Sequence, residues 1–128
     1  MNRLVTAAAL LGFAGVALGA FGAHALDGQL SEEARGWWST ATAYALPHAA
    51  AALAAGLSGQ AGRVRLGGWL MVGGAVIFAG SLYAMALGAP RGLGAVTPVG
   101  GLSLLAGWLS LALSGVRKPQ DPAVPSAT

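Results

Sequence analysis

LVTAAALLGFAGVALGAFGAHAL, residues 4–26, runs for 23 residues without a formal charge. A helix needs about 20 apolar residues to cross the hydrocarbon core of a bilayer, so this stretch is long enough for one crossing. Three more charge-free stretches follow, residues 36–62, 66–90 and 92–116, of 27, 25 and 25 residues. The seven basic and four acidic side chains lie only between and outside them: Arg3; Asp27, Glu32, Glu33 and Arg35; Arg63 and Arg65; Arg91; Arg117, Lys118 and Asp121. The predicted fold is all-α and integral to the membrane. It is a single four-helix transmembrane bundle over residues 1–118, with spans at about 4–23, 38–57, 66–87 and 98–116 and a disordered cytoplasmic tail at 119–128.

Composition narrows the classes of function. Only 9% of residues are charged, against roughly a quarter in soluble domains. The net charge of +3 is spread over separate sites and forms no basic patch, so nucleic acid is not an expected partner. The basic residues instead follow the positive-inside pattern. With four crossings, Arg3, Arg63, Arg65, Arg117 and Lys118 share one side and Arg35 and Arg91 the other, which places both termini in the cytoplasm. The chain has no cysteine, so disulfide carriers and thiolate metal sites are excluded. Ala23-His24-Ala25 has the form of a signal-peptide cleavage site, but the apolar run before it exceeds the 7–15 residues of a signal core. Retention as a helix is the expectation.

Small residues mark the faces on which spans would pack. Ala8, Gly12, Gly15, Gly19 and Gly22 form one stripe of the first span; Gly100, Ser103, Gly107, Ser110 and Ser114 repeat the spacing in the fourth. Apolar side chains gain little by leaving lipid for one another, so membrane helices associate where small residues let backbones approach. Both stripes are expected to face the bundle interior, and Gly73, Gly80 and Ala84 are available for packing in the third span. Ser31 before Glu32 and Glu33 reads as a helix cap, and Trp37 and Trp38 as an interfacial aromatic belt. The charged stretch 27–40 leaves open a separate interfacial helix. Pro47 removes a backbone donor inside the second span and predicts a kink there. Thr97-Pro98 reads as a capping hydroxyl followed by proline at the first helical position.

No span holds Asp, Glu, Lys or Arg, which argues against proton antiport through a membrane carboxylate. The membrane-embedded polar side chains are candidate functional groups. Thr40, Tyr44 and His48 share one helix face, and His24, Tyr44, His48, Ser81, Tyr83 and Thr97 all map to the outer half of the bundle. They outline a candidate polar pocket opening outward. His24 sits at a helix end and His48 roughly 15 Å below the tryptophan pair, a depth mismatch that rules against a shared haem; no metal or cofactor is expected. No nucleophile, base and orienting group can be assembled, so no catalytic residue is assigned.

These residues also carry a family resemblance. GAFGAHAL (19–26), Thr40-Ala41-x-x-Tyr44-x-x-x-His48, GSLYAMAL (80–87) and TPVGGLSLLAGW (97–108) resemble the bacterial YgdD/YwdK-type membrane proteins of domain-of-unknown-function family 423. The likeness runs from about residue 4 to residue 116. It implies a retained four-helix protein of the bacterial cytoplasmic membrane with no assigned activity. Ala45 and Pro47 depart from the family's usual glutamine and bulky residue, and Ala79 from its frequent serine.

The function expected from this reading is non-enzymatic. The pocket would bind a small molecule, a lipid head group or a partner helix; the alternative is an oligomeric passive channel or facilitator. The expected partners are the lipid bilayer and either a second copy or another membrane protein.

Overall fold

The computed structural model describes residues 1–115, and among these the regular structure is entirely helical. The helices are α1 (Arg3–His24), α2 (Glu32–Leu57), α3 (Arg63–Ala86) and α4 (Thr97–Ser114), with a short 3-10 turn, Arg91–Ala95, leading into α4. The predicted tail at 119–128 and the last charged cluster lie outside the described residues.

Local chemistry sets most of the boundaries. Asn2 caps α1, its Oδ1 accepting from the Val5 amide at 3.2 Å. Ser31 caps α2 through the Ala34 amide at 3.1 Å, with Glu32 and Glu33 in the first turn, where their charge suits the helix dipole. α2 therefore begins at Glu32 and runs unbroken through Pro47 to Leu57; residues 32–40 are its first turns and no separate helix. Gly88, at φ +106°, closes α3: its amide reaches the Met85 carbonyl and the Ala89 amide reaches Ala84, the paired bonds of a Schellman end. Thr97 departs from expectation. It is itself the first residue of α4 and makes no cap bond, because the 3-10 turn already delivers helical backbone at Val96.

The helices run up and down in sequence order. At the end that holds the N-terminus, Asn2 Nδ2 donates to Gly56 O at 2.8 Å and joins the start of α1 to the end of α2. Arg63 similarly reaches the Leu113 carbonyl from the start of α3. At the opposite end Arg91 and Glu33 form the one ion pair among the described residues, at 2.5 Å. α3 packs along both α2 and α4, and α1 lies chiefly on α2.

Packing rests on residues with little or no side chain. The buried face of α2 is Ala34, Trp38, Ala41, Ala45, Ala49, Ala52 and Ala55, recurring every three or four residues as a helix seam requires. The α1 stripe meets it as predicted: Gly15 faces Ala45 and Leu46, Gly19 faces Thr42, and Gly12 faces Ala49. In α4, Gly100 and Gly107 meet Gly74 and Gly67 of α3, and a Cβ at Gly74 would lie 2.9 Å from the Gly100 carbonyl oxygen. Gly73 and Gly80 have nothing within 4 Å; they sit on the outer side of α3, and the seam uses the residues one turn-position away. At the N-terminal end, Leu4 fills the space left by Gly68 beside Ala55.

Three segments are long and apolar enough to cross a membrane: α1, α3, and the 3-10 turn with α4. α2 is the longest helix at 26 residues but is not among them. Thr40, Thr42, Tyr44, Pro47 and His48 lower its apolarity, and it is the helix lined by both α1 and α3.

The glycine seam predicts opposite outcomes for two neighbouring substitutions. A Cβ at Gly100 would stand 2.5 Å from the Phe78 amide nitrogen and 2.8 Å from Gly74 O, backbone atoms that cannot swing away. Gly100→Ala should lose about 1–3 kcal/mol to overpacking, whereas Gly73→Ala should be neutral or gain up to ~1 kcal/mol from helix propensity. Thermal unfolding of both variants in the same detergent checks this; equal midpoints would contradict the seam.

Candidate functional site

The six sequence-predicted residues fall at four places. His24 ends α1 and is exposed. The other five sit on α2, α3 and α4, where side chains tie one helix to another.

His48 is 8% exposed, and both its ring nitrogens are engaged. Trp108 Nε1 of α4 lies 3.0 Å from His48 Nε2. An indole N–H can only donate, so Nε2 accepts and the ring is neutral there. Nδ1 then carries the hydrogen and donates to the Tyr44 carbonyl at 2.6 Å. That carbonyl is next to Ala43, whose helical donor Pro47 removes. Tyr44 stacks on His48 at 6.1 Å with 7° between rings and touches Phe78. Tyr44 itself is half exposed on the outside of α2, as is Thr40.

Tyr83 is buried. Its hydroxyl is 2.5 Å from Thr42 Oγ1, and Thr42 spends its own hydrogen on the Trp38 carbonyl at 3.2 Å, so Tyr83 donates. Trp38 stands edge-on to Tyr83, at 4.6 Å between centroids, and its Nε1 donates to Leu18 O of α1 at 2.8 Å. Trp38 is 5% exposed; it is a core residue tying α1 to α2, not part of an aromatic belt. Gly22 makes room for it, since a Cβ there would collide with the indole. Trp37 keeps the rim position, with the Arg91 guanidinium 5.7 Å above its ring.

The remaining pair joins α3 to α4. Ser81 donates to Phe78 O at 2.9 Å and accepts from Thr97 Oγ1 at 2.6 Å. Two further hydroxyls of the α4 stripe find α3 carbonyls: Ser103 to Leu70 and Ser110 to Arg63, each at 2.8 Å. Among the described residues no buried side-chain polar atom lacks a partner.

The open polar space lies elsewhere. A cavity of about 330 Å³ lies beside the α1–α2 contact at the end opposite the N-terminus, lined by Gly19, Gly22, Leu26, Asp27, Leu30, Arg35, Trp38, Ser39 and Thr42 among others. None of the six predicted residues lines it, although Thr42 ties it to Tyr83. A second, mostly apolar groove of about 460 Å³ runs under the 3-10 turn between Trp37, Phe78, Leu82 and Thr97. Asp27 and Arg35 belong to the charged cluster between the first two spans. Their spacing alone carries no signal, because the cavity depends on how α1 sits against α2. No group of three or more potential metal ligands occurs among the described residues.

The His48 arrangement is testable. Trp108→Phe keeps an aromatic ring but leaves a buried acceptor unpaired, which should cost about 1–3 kcal/mol and lower the unfolding midpoint. Nitrogen-15 NMR of the ring should find Nδ1 protonated and Nε2 bare in the parent protein. An Nε2–H tautomer would contradict the assigned bond.

Known proteins resemble most of this chain. The family model described as "Protein of unknown function (DUF423)" matches residues 18–101. A UPF0382 membrane protein of Staphylococcus epidermidis is 41% identical over 119 residues, covering 91% of this chain and 98% of the relative. The UPF0382 membrane protein YwdK of Bacillus subtilis is 37% identical over 122 residues, covering 91% and 98%. The UPF0382 inner membrane protein YgdD of Escherichia coli is 40% identical over 116 residues, covering 86% of each chain. No solved structure matches. The chain belongs to the DUF423 family of bacterial membrane proteins.

Proposed function

We propose that this protein crosses the bacterial inner membrane four times, with both termini in the cytoplasm, and acts by binding rather than catalysis. The binding site in this reading is the cavity between the outer ends of α1 and α2. One observation carries it: the buried polar side chains are spent on one another or on backbone carbonyls, while Asp27, Arg35 and Ser39 line an open cavity and enter no ion pair among the described residues. A ligand pocket needs a few polar groups free to fix its occupant, and these three face open space. The cavity is within the 300–1,000 Å³ range of ligand pockets.

Five of the six predicted residues take a supporting part, and His24 takes none. Tyr83 fixes Thr42, which lines the cavity. Tyr44, His48, Ser81 and Thr97 hold α2, α3 and α4 in register. The inward placement of α2 lets it cross with fewer apolar residues, and Pro47 provides for a bend in it. The rival reading is an oligomeric passive channel. It draws support from α1 and α4, which pack on α2 and α3 but hardly on each other and leave faces for a second copy.

Native mass spectrometry of the full chain released from its own membrane separates the two. Binding predicts a non-protein mass on the protomer that is lost in Ser39→Trp, which fills the cavity from an exposed position, with the unfolding midpoint unchanged. A clean oligomer without added mass, together with solute flux through proteoliposomes, would favour the channel and sink the binding reading.

A further inference from the structure

A second cavity lies farther along the same pair of helices as the one at Asp27 and Arg35. The second is a groove of about 280 Å³ lined by Ala9, Phe13, Val16, Leu46, Ala50 and Leu53 among others, with no charged or hydroxyl side chain. The two lie on one side of the α1–α2 seam. On α2 their lining residues follow a single helical stripe: Arg35, Ser39, Thr42, Leu46, Ala50, Leu53. On α1, Ala9, Phe13, Val16 and Ala23 do the same. Leu18, on the other side of α1, packs into the core cluster with Leu82 and Met85 of α3, so the groove faces away from the bundle.

The result is a lateral trough, charged at one end and apolar along the rest. From Ala23 to Ala9 it runs about 20 Å along the helix axis. One leaflet's chains occupy roughly 15 Å, half of the ~30 Å hydrocarbon core. A trough of this length, open to the side, takes an acyl chain entering from lipid. Its charged end carries one cation and one anion, so the matching head group has no net charge but both signs. A guanidinium holds phosphate through paired hydrogen bonds. A lone carboxylate discriminates in favour of a primary ammonium, which can donate to it. A quaternary ammonium needs an aromatic cage, and the one ring lining this end, Trp38, turns its N–H to Leu18.

We propose that the α1–α2 trough binds one zwitterionic phospholipid with a primary ammonium, its phosphate at Arg35, its ammonium at Asp27 and an acyl chain lying toward Leu53. This rests on the cavity being the binding site and adds the class of ligand.

The test uses the purified full chain in detergent with equal amounts of phosphatidylethanolamine, phosphatidylcholine and phosphatidylglycerol, with retained lipid read by native mass spectrometry. Soluble phosphoethanolamine serves as a separate probe. Phosphatidylethanolamine should be retained over the other two by roughly tenfold, the worth of one charge-assisted hydrogen bond. Asp27→Asn should remove that preference, and Arg35→Gln should lower retention of all three lipids. Ala50→Phe, which blocks the apolar stretch from an exposed position, should lower lipid retention without affecting phosphoethanolamine. Equal retention of the three lipids by the parent chain overturns the proposal. So does phosphoethanolamine binding as tightly as the lipid with Ala50→Phe inert, an outcome that keeps the cavity as the site but not for a lipid. If Asp27→Asn, Arg35→Gln and Ala50→Phe all leave retention of every probe unchanged, the cavity itself is not the site and both readings fall.

Discussion

Close backbone approach is the constraint on which the helix packing depends. Apolar side chains are as well solvated by lipid tails as by one another, so helices in a bilayer gain from association only where their backbones can touch. α3 and α4 meet at Gly67, Gly74, Gly100 and Gly107, where even a methyl group would press on main-chain atoms. α2 offers alanine at six of its nine buried positions, and α1 answers with glycine. The few large buried side chains follow from this. Leu4 and Met71 are the largest that are fully enclosed; Leu4 lies against Gly68, and a Cβ at Gly107 would press on Met71.

A second constraint decides which side chains join the seams. Away from water, each hydroxyl, indole or imidazole must find a partner. Trp38 to Leu18, Tyr83 to Thr42, Thr97 to Ser81, Ser103 to Leu70, and Trp108 to His48 each connect two different helices. These bonds fix rotation and register, which glycine contacts alone would leave free to slide. Most of the residues involved lie in or beside the four strings that carry the resemblance, so those positions have a packing role before any ligand is invoked.

The charge gaps foretold the helices well, because charge is the one signal a bilayer reads with little tolerance. α1 and α3 begin and end within a few residues of expectation, and the glycine stripe of α1 meets α2 as its spacing implied. The stripe on α3 was misread: Gly73 and Gly80 are as small as Gly67 and Gly74 but lie on the other face, and composition alone does not orient a helix that is glycine-rich on several sides. Trp38 looked like a belt residue because tryptophan usually is one at that depth. Only the gap at Gly22, sixteen residues upstream in the loop-connected neighbour and opposite it, admits the indole to the core. Thr97 had the form of a cap, but the 3-10 turn before it removed the need. The cavity was the least legible feature. Asp27, Arg35 and Ser39 are ordinary polar residues in sequence and converge only where α1, its following loop and α2 come together.

The account turns on α2, the helix least apolar by composition, crossing the bilayer inside the bundle. Because the chain has no cysteine, single cysteines at the exposed positions Gln29, Gln60 and Gly92 can report sidedness with a membrane-impermeant maleimide. Four crossings with both termini in the cytoplasm predict that Gln29→Cys and Gly92→Cys react in spheroplasts or intact cells. Gln60→Cys should react only once the membrane is opened. Gln29→Cys and Gln60→Cys reacting from the same side would mean that α2 does not cross, and the account would fail.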